Sequence, residues 1–113
     1  MSSIINILHI LIIVPLLFLV YYNQKQLPKW SCILLMLISS LSFIYHIYKL
    51  VTITDNEKWK IWIYFIHILF ILPLIFYIGY NCNETPRMYF ELLLLVSFAA
   101  LGYHLFNLIK YGF

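Results

Sequence analysis

Four long apolar runs, separated only by short polar links, constrain this chain more than any other feature of it. They cover residues 4–22, 30–50, 61–80 and 88–109. Each has the length that carries an α-helix across about 30 Å of hydrocarbon at about 1.5 Å per residue. The links are Asn23-Gln24-Lys25-Gln26, residues 52–60 and residues 81–87. Links this short make successive helices antiparallel neighbours. A single domain over residues 1–113 that is 65% hydrophobic and 10% charged has too little polar surface to live in water. The expectation is an all-α integral membrane four-helix bundle with the lipid bilayer as its solvent. Tyr21, Tyr22, Trp30, Trp59, Trp62, Tyr80 and Tyr89 gather near the run ends, where interfacial aromatics belong. The first run lacks a basic leader and a small-residue cleavage site, so it reads as a retained helix. A net charge of +3, scattered over helix ends and links, gives no surface for nucleic acid.

The chain repeats itself. A shift of 58 residues lays residues 1–55 over 59–113 without a gap. Matches of Leu with Ile carry little weight in so apolar a chain, but uncommon residues match too. His9 falls on His67, Pro15 on Pro73, Phe18 on Phe76, Tyr22 on Tyr80 and Asn23 on Asn81. Pro28 falls on Pro86, Ser39 on Ser97, Tyr45 on Tyr103 and His46 on His104. This pattern predicts a tandem duplicated helical hairpin. Each copy holds two spans, so both enter a membrane in the same sense and are related by a pseudo-two-fold axis along its normal. That symmetry sets His9 diagonal to His67, and His46 diagonal to His104.

All four histidines of the chain belong to this pattern. Counted along the runs, they fall on the side that holds both termini, roughly 6–9 Å below the surface. Four imidazoles at one depth predict a single layer. On the second run, Ser39, Ser42, His46 and Lys49 share a narrow helical stripe. Its counterpart on the fourth is Ser97, Ala100, His104 and Asn107. Small and polar stripes face partner helices rather than lipid. Asn6 shares a face with His9, and Tyr45 and Tyr103 adjoin the other two histidines. Pro15 and Pro73 are expected to kink their helices. They leave the carbonyls of residues 11 and 69 without their usual donors, able to accept from an imidazole or water.

Imidazole titrates near neutral pH, and histidines inside spans commonly mark function. The first reading is a layer of His9, His46, His67 and His104 that binds protons or a cation, as a permeation or sensing site, with a homo-oligomer to complete any long pore. A second is an electron-transfer module in which these imidazoles hold a b-type haem or a transition metal. Ser39, Ser40, Ser42, Ala99, Ala100 and Gly102 would then leave room for a macrocycle, and Lys49, Lys58, Lys60 and Lys110 would meet its propionates. A third is a structural or membrane-remodelling protein whose histidines only join helices by hydrogen bonds. No nucleophile–base pairing, phosphate loop or metalloprotease spacing occurs, so an enzyme is not expected.

Cys32 and Cys82 fall at the end away from the histidines. A disulfide between them is geometrically allowed and would need that face to be extracytoplasmic. Asn83-Glu84-Thr85 reads there as a glycosylation sequon weakened by Pro86. Four lysines on the terminal side against Lys25, Lys29 and Arg87 on the other tilt both termini toward the cytoplasm. Glu91 stands one turn after Arg87, as an i,i+4 ion pair would.

Two strings carry a resemblance. Pro86-Arg87-x-Tyr89-Phe90-Glu91-Leu92-Leu93 is followed by Ala99-Ala100-Leu101-Gly102-Tyr103-His104-Leu105. His-Ile-Leu-x-x-x-Pro-Leu occurs at both His9–Leu16 and His67–Leu74. Together they resemble small duplicated membrane proteins encoded by large DNA viruses of algae and protists. The likeness covers both halves, most of all residues 61–110. It implies a viral source and no particular activity.

Overall fold

The computed structural model describes residues 2–111, and these are helical almost throughout, with no strand among them. Met1, Gly112 and Phe113, the ends of the expected domain 1–113, lie outside the described residues. Four helices are long and apolar enough to cross a membrane: α1 (Ser3–Gln26), α2 (Lys29–Val51), α3 (Asp55–Glu84) and α4 (Arg87–Tyr111). They match the four expected runs, extended by a few residues at the links.

The chain divides into two compact units. One joins α1 to α4, and the other, Leu27–Thr85, joins α2 to α3. The units are therefore not the sequence repeats. Each takes one helix from residues 1–55 and one from 59–113.

In the α1–α4 unit the helices run antiparallel, with His9 against His104 and Phe18 against Phe98. The buried residues of α4 are Phe90, Leu93, Val96, Ser97, His104 and Leu108, most of them on one face at helical spacing. Val14, Leu17 and Val20 are the buried stripe of α1. The Arg87–Glu91 ion pair forms at 3.4 Å on an exposed surface, as its spacing predicts.

In the α2–α3 unit, Cys32, Leu35, Ser39 and His46 form the buried face of α2. Ile63, Tyr64, Leu72, Leu74, Ile75, Ile78 and Gly79 do so for α3. Near one end the two backbones approach closely. A methyl group on Gly79 would lie 2.8 Å from the Cys32 carbonyl oxygen and 2.9 Å from Met36 Cγ. At that same end Cys32 and Cys82 form a disulfide, with Cα atoms 5.5 Å apart. Closing a loop of 50 residues removes denatured-state entropy worth about 4 kcal/mol. At the other end, Asp55–Lys60 is a 3₁₀ turn with exposed i,i+3 pairs from Lys58 to Asp55 and Lys60 to Glu57. Such pairs add little stability.

Both prolines reshape their helices in the same way. Residues His9–Ile13 and His67–Ile71 are π-helical, and regular α-helix resumes at Val14 and Leu72. A proline ring collides with the carbonyl four residues back in a regular α-helix. Widening the preceding turn relieves the collision without breaking the helix. The kink read from Pro15 and Pro73 thus takes the form of a π segment that begins at each histidine.

The ends of α1 and α3 also match. Asn23 and Asn81 donate from Nδ2 to the carbonyls of Leu19 and Tyr77. The next residues, Gln24 and Cys82, take φ of 38° and 54°. That conformation favours glycine and costs a side-chain-bearing residue on the order of 1–3 kcal/mol. Thr85 is fully buried, and its hydroxyl donates to the carbonyls of Cys82 and Ile78. The threonine of the sequon is thus engaged in closing the end of α3.

The two internal glycines should respond in opposite directions. Gly79→Ala presses a methyl into backbone at Cys32 and should cost about 1–3 kcal/mol. Gly102→Ala meets nothing within 4 Å and should gain up to about 1 kcal/mol from helix propensity. Thermal unfolding of the purified variants, followed by circular dichroism, checks both.

Candidate functional site

Each unit contains one pair of histidines, and each pair is stacked face to face. In the α1–α4 unit, the rings of His9 and His104 lie 4.1 Å apart between centroids, with planes 21° from parallel. In the α2–α3 unit, His46 and His67 lie 4.4 Å apart at 12°. The expected set of four is thus brought together as two pairs. His104 and His46 are buried, and His9 and His67 are half-buried.

The hydrogen bonds determine which nitrogen carries the proton. His9 Nδ1 meets the Ile5 carbonyl at 2.8 Å. His67 Nδ1 meets the Ile63 carbonyl, and His46 Nδ1 the Ser42 carbonyl, both at 2.7 Å. A carbonyl oxygen only accepts, so each Nδ1 must donate. The neutral rings then carry their hydrogen on Nδ1 and their lone pair on Nε2. These Nδ1 partners are the carbonyls one turn back on the same helix.

His104 differs. Its Nδ1 lies 2.8 Å from Asn6 Oδ1, a bond between two buried side chains on different helices. An amide can present its NH2 in place of its oxygen by rotating, so Asn6 can match either neutral form of His104.

The other expected residues fall around the pairs in different roles. Tyr103 and Tyr45 stand edge-on to His104 and His46, at centroid distances of 5.1 and 5.4 Å. Tyr103 is half-buried and Tyr45 exposed. Ser39 and Ser97 are buried, but their hydroxyls donate to the carbonyls of Met36 and Leu93 on their own helices. Ser42 contributes its backbone carbonyl to His46. Asn107 is half-buried, one turn beyond His104. Pro15 and Pro73 are exposed and act through the π segments. Tyr64 was not among the expected residues, yet it is buried and stands edge-on to His46 at 6.2 Å. The repeat holds the missed signal, because the shift of 58 lays Tyr64 over Asn6.

Stacking limits what a pair can bind. An imidazole donates to a metal in its own ring plane, and two nearly parallel planes about 4 Å apart share no nearby point. A haem held between two imidazoles likewise needs their nitrogens pointing at each other across the iron. Neither pair fits a shared metal or a haem without turning a ring. Among the described residues, no group of three or more His, Cys, Asp or Glu side chains is placed to hold a metal ion. What a stacked pair does accommodate is one added proton, because an imidazolium sits favourably over a neutral aromatic face.

Neither a protein family, nor a characterised protein, nor a solved structure matches this chain.

Asn6→Leu removes the amide from a buried imidazole and should cost about 1–3 kcal/mol in thermal stability. Asn6→Asp keeps an acceptor and should hold the hydrogen of His104 on Nδ1. Nitrogen-15 spectra of histidine-labelled protein read that tautomer directly.

Proposed function

We propose that this chain is a small integral membrane protein that takes up protons on its two stacked histidine pairs from the side of its termini. Lipid as the solvent is supported by how little of each helix is covered. Only 22% of the most apolar stretch of α1 is buried, and 28% in each of the other three helices. Ile4, Leu11, Leu41, Leu69, Leu95 and Ile109 are each 65–73% exposed. Apolar surface on this scale would cause aggregation in water.

The observation that carries the proton reading is the stacked geometry. Two imidazolium charges about 4 Å apart repel by about 4 kcal/mol at an effective dielectric constant of 20. That is about a thousandfold penalty on the second proton. Each pair therefore takes one proton, held on a nitrogen of one ring that lies over the face of the other, and the chain about two.

Access is one-sided within each unit. Beyond His9 and His104 lie Val14, Leu17, Val20, Phe90, Leu93 and Val96, all buried. Beyond His46 and His67 lie Leu35, Leu74, Ile75 and Ile78, also buried. These apolar stretches favour sensing or storage of a proton over its passage through either unit. The Cys32–Cys82 disulfide supports an oxidising compartment at the far end, and the lysine count supports termini in the cytoplasm.

Proton uptake measured between about pH 8 and pH 5 tests the proposal on wild-type protein against the variant with all four histidines changed to glutamine. The expected difference is about two protons per chain, with no proton leak in vesicles for either form. A difference of four would remove the one-proton pair. No difference would leave the histidines as packing groups.

A further inference from the structure

The α2–α3 unit carries an apolar groove of about 740 Å³ whose walls include Phe43, Ile44, Leu72, Pro73 and Phe76. Ser39 and Ser40 line it on α2, and Tyr77 and Tyr80 extend the α3 wall. Ser40 is exposed, an unexpected place for a small polar residue in the middle of an apolar helix. The other half of the chain shows what is missing. A shift of 58 residues lays Phe76 over Phe18, and Phe98 over Ser40. In the α1–α4 unit, Phe18 and Phe98 meet edge to face at 5.3 Å. In the α2–α3 unit the ring opposite Phe76 is gone, and the groove lies beside its place.

Depth selects the occupant. Ser40 is the midpoint of the helix Lys29–Val51, roughly 16 Å along the axis from each end. In a bilayer that is the centre of the hydrocarbon, out of reach of headgroups and water. Ser39 turns its hydroxyl to the Met36 carbonyl, so the floor is apolar in character. An unfilled apolar groove loses dispersion contacts along its whole lining.

We infer that this groove holds one hydrocarbon chain of a membrane lipid, which takes the place that the Phe98 ring fills in the other unit. The inference rests on the membrane reading above but not on the histidines. A wild-type chain found outside the membrane fraction and soluble without detergent would fail that reading, separately from the groove.

Two reciprocal substitutions test it in the full-length protein, reconstituted with dioleoylphosphatidylcholine and released into mild detergent for native mass spectrometry. Wild type should retain one lipid mass. Ser40→Phe should lose it, and Ser40→Ala should keep it. Phe98→Ser opens the equivalent place in α4 and should add one lipid mass. Circular dichroism and an intact Cys32–Cys82 bond confirm that each variant is folded. If Ser40→Phe does not fold, the gain in Phe98→Ser decides. Equal lipid retention by wild type and folded Ser40→Phe would overturn the inference. So would a wild-type dimer that Ser40→Phe splits, since a second copy would then fill the groove.

Discussion

A histidine inside an apolar helix must place its ring hydrogen somewhere, and in this chain three of four give it to the backbone carbonyl one turn back. An unmet polar hydrogen away from water costs several kcal/mol, so this local bond is strongly favoured. It has two consequences. It holds the neutral proton on Nδ1, and it turns each ring back along its own helix. Each of these three rings then turns a face to the histidine of the neighbouring helix, and the faces stack in pairs. Stacking in turn keeps the two ring planes nearly parallel, so the pair offers no nearby point in both planes where one metal ion could sit. Three of the four rings are oriented by a hydrogen bond within their own helix, and His104 by Asn6 of the helix it packs against.

The two units solve the same problem with different residues, and the differences show which parts are interchangeable. Both retain the histidine stack, the π segment before proline and the strained residue after asparagine. Away from the histidines they diverge. Phe90 is fully buried in α4, whereas the matching position in α2 is Cys32, tied to Cys82 and packed under Gly79. A large ring holds one helix pair by packing, and a covalent bond with close backbone approach holds the other. Asn6 bonds to His104 where Tyr64 lies edge-on to His46. Positions that set the stack are kept, while those that fill space around it are free to exchange volume for a covalent bond or for a groove.

Much of this was legible in the sequence, for identifiable reasons. Helix number followed from run length, because the thickness of a bilayer sets a minimum that short core helices do not meet. His9, His46, His67 and His104 stood out because polar residues are rare in such runs. The helix partners were not legible. Placing His9 diagonal to His67 and His46 diagonal to His104 leaves each helix two possible neighbours, and the compact units pair α1 with α4 and α2 with α3. Faces built from Leu, Ile and Val are nearly interchangeable as packing surfaces, so their pattern does not choose among neighbours. The prolines announced a disturbed helix, but whether the chain kinks or widens into a π turn depends on backbone strain that residue identity does not specify. Stacking was hidden for a similar reason, since it is set by rotamer and not by spacing.

On the proton reading, the placement of the pairs matters as much as their number. Each stack is itself a contact between two helices, so adding a charge there alters the contact directly. The two contacts are not equally free to respond. In the α2–α3 unit the disulfide joins the helices at the end away from the stack, about 14 residues or roughly 21 Å along α2 from His46. Any loosening at the histidines must then pivot about a fixed far end. In the α1–α4 unit the far end is held by Phe90 and its apolar neighbours, whose packing is strong but reversible. His104 there relies on Asn6, a side chain able to follow either tautomer, where His46 relies on a backbone carbonyl. The two histidine contacts thus differ in what holds the helices together beyond them, a covalent bond in one unit and apolar packing in the other.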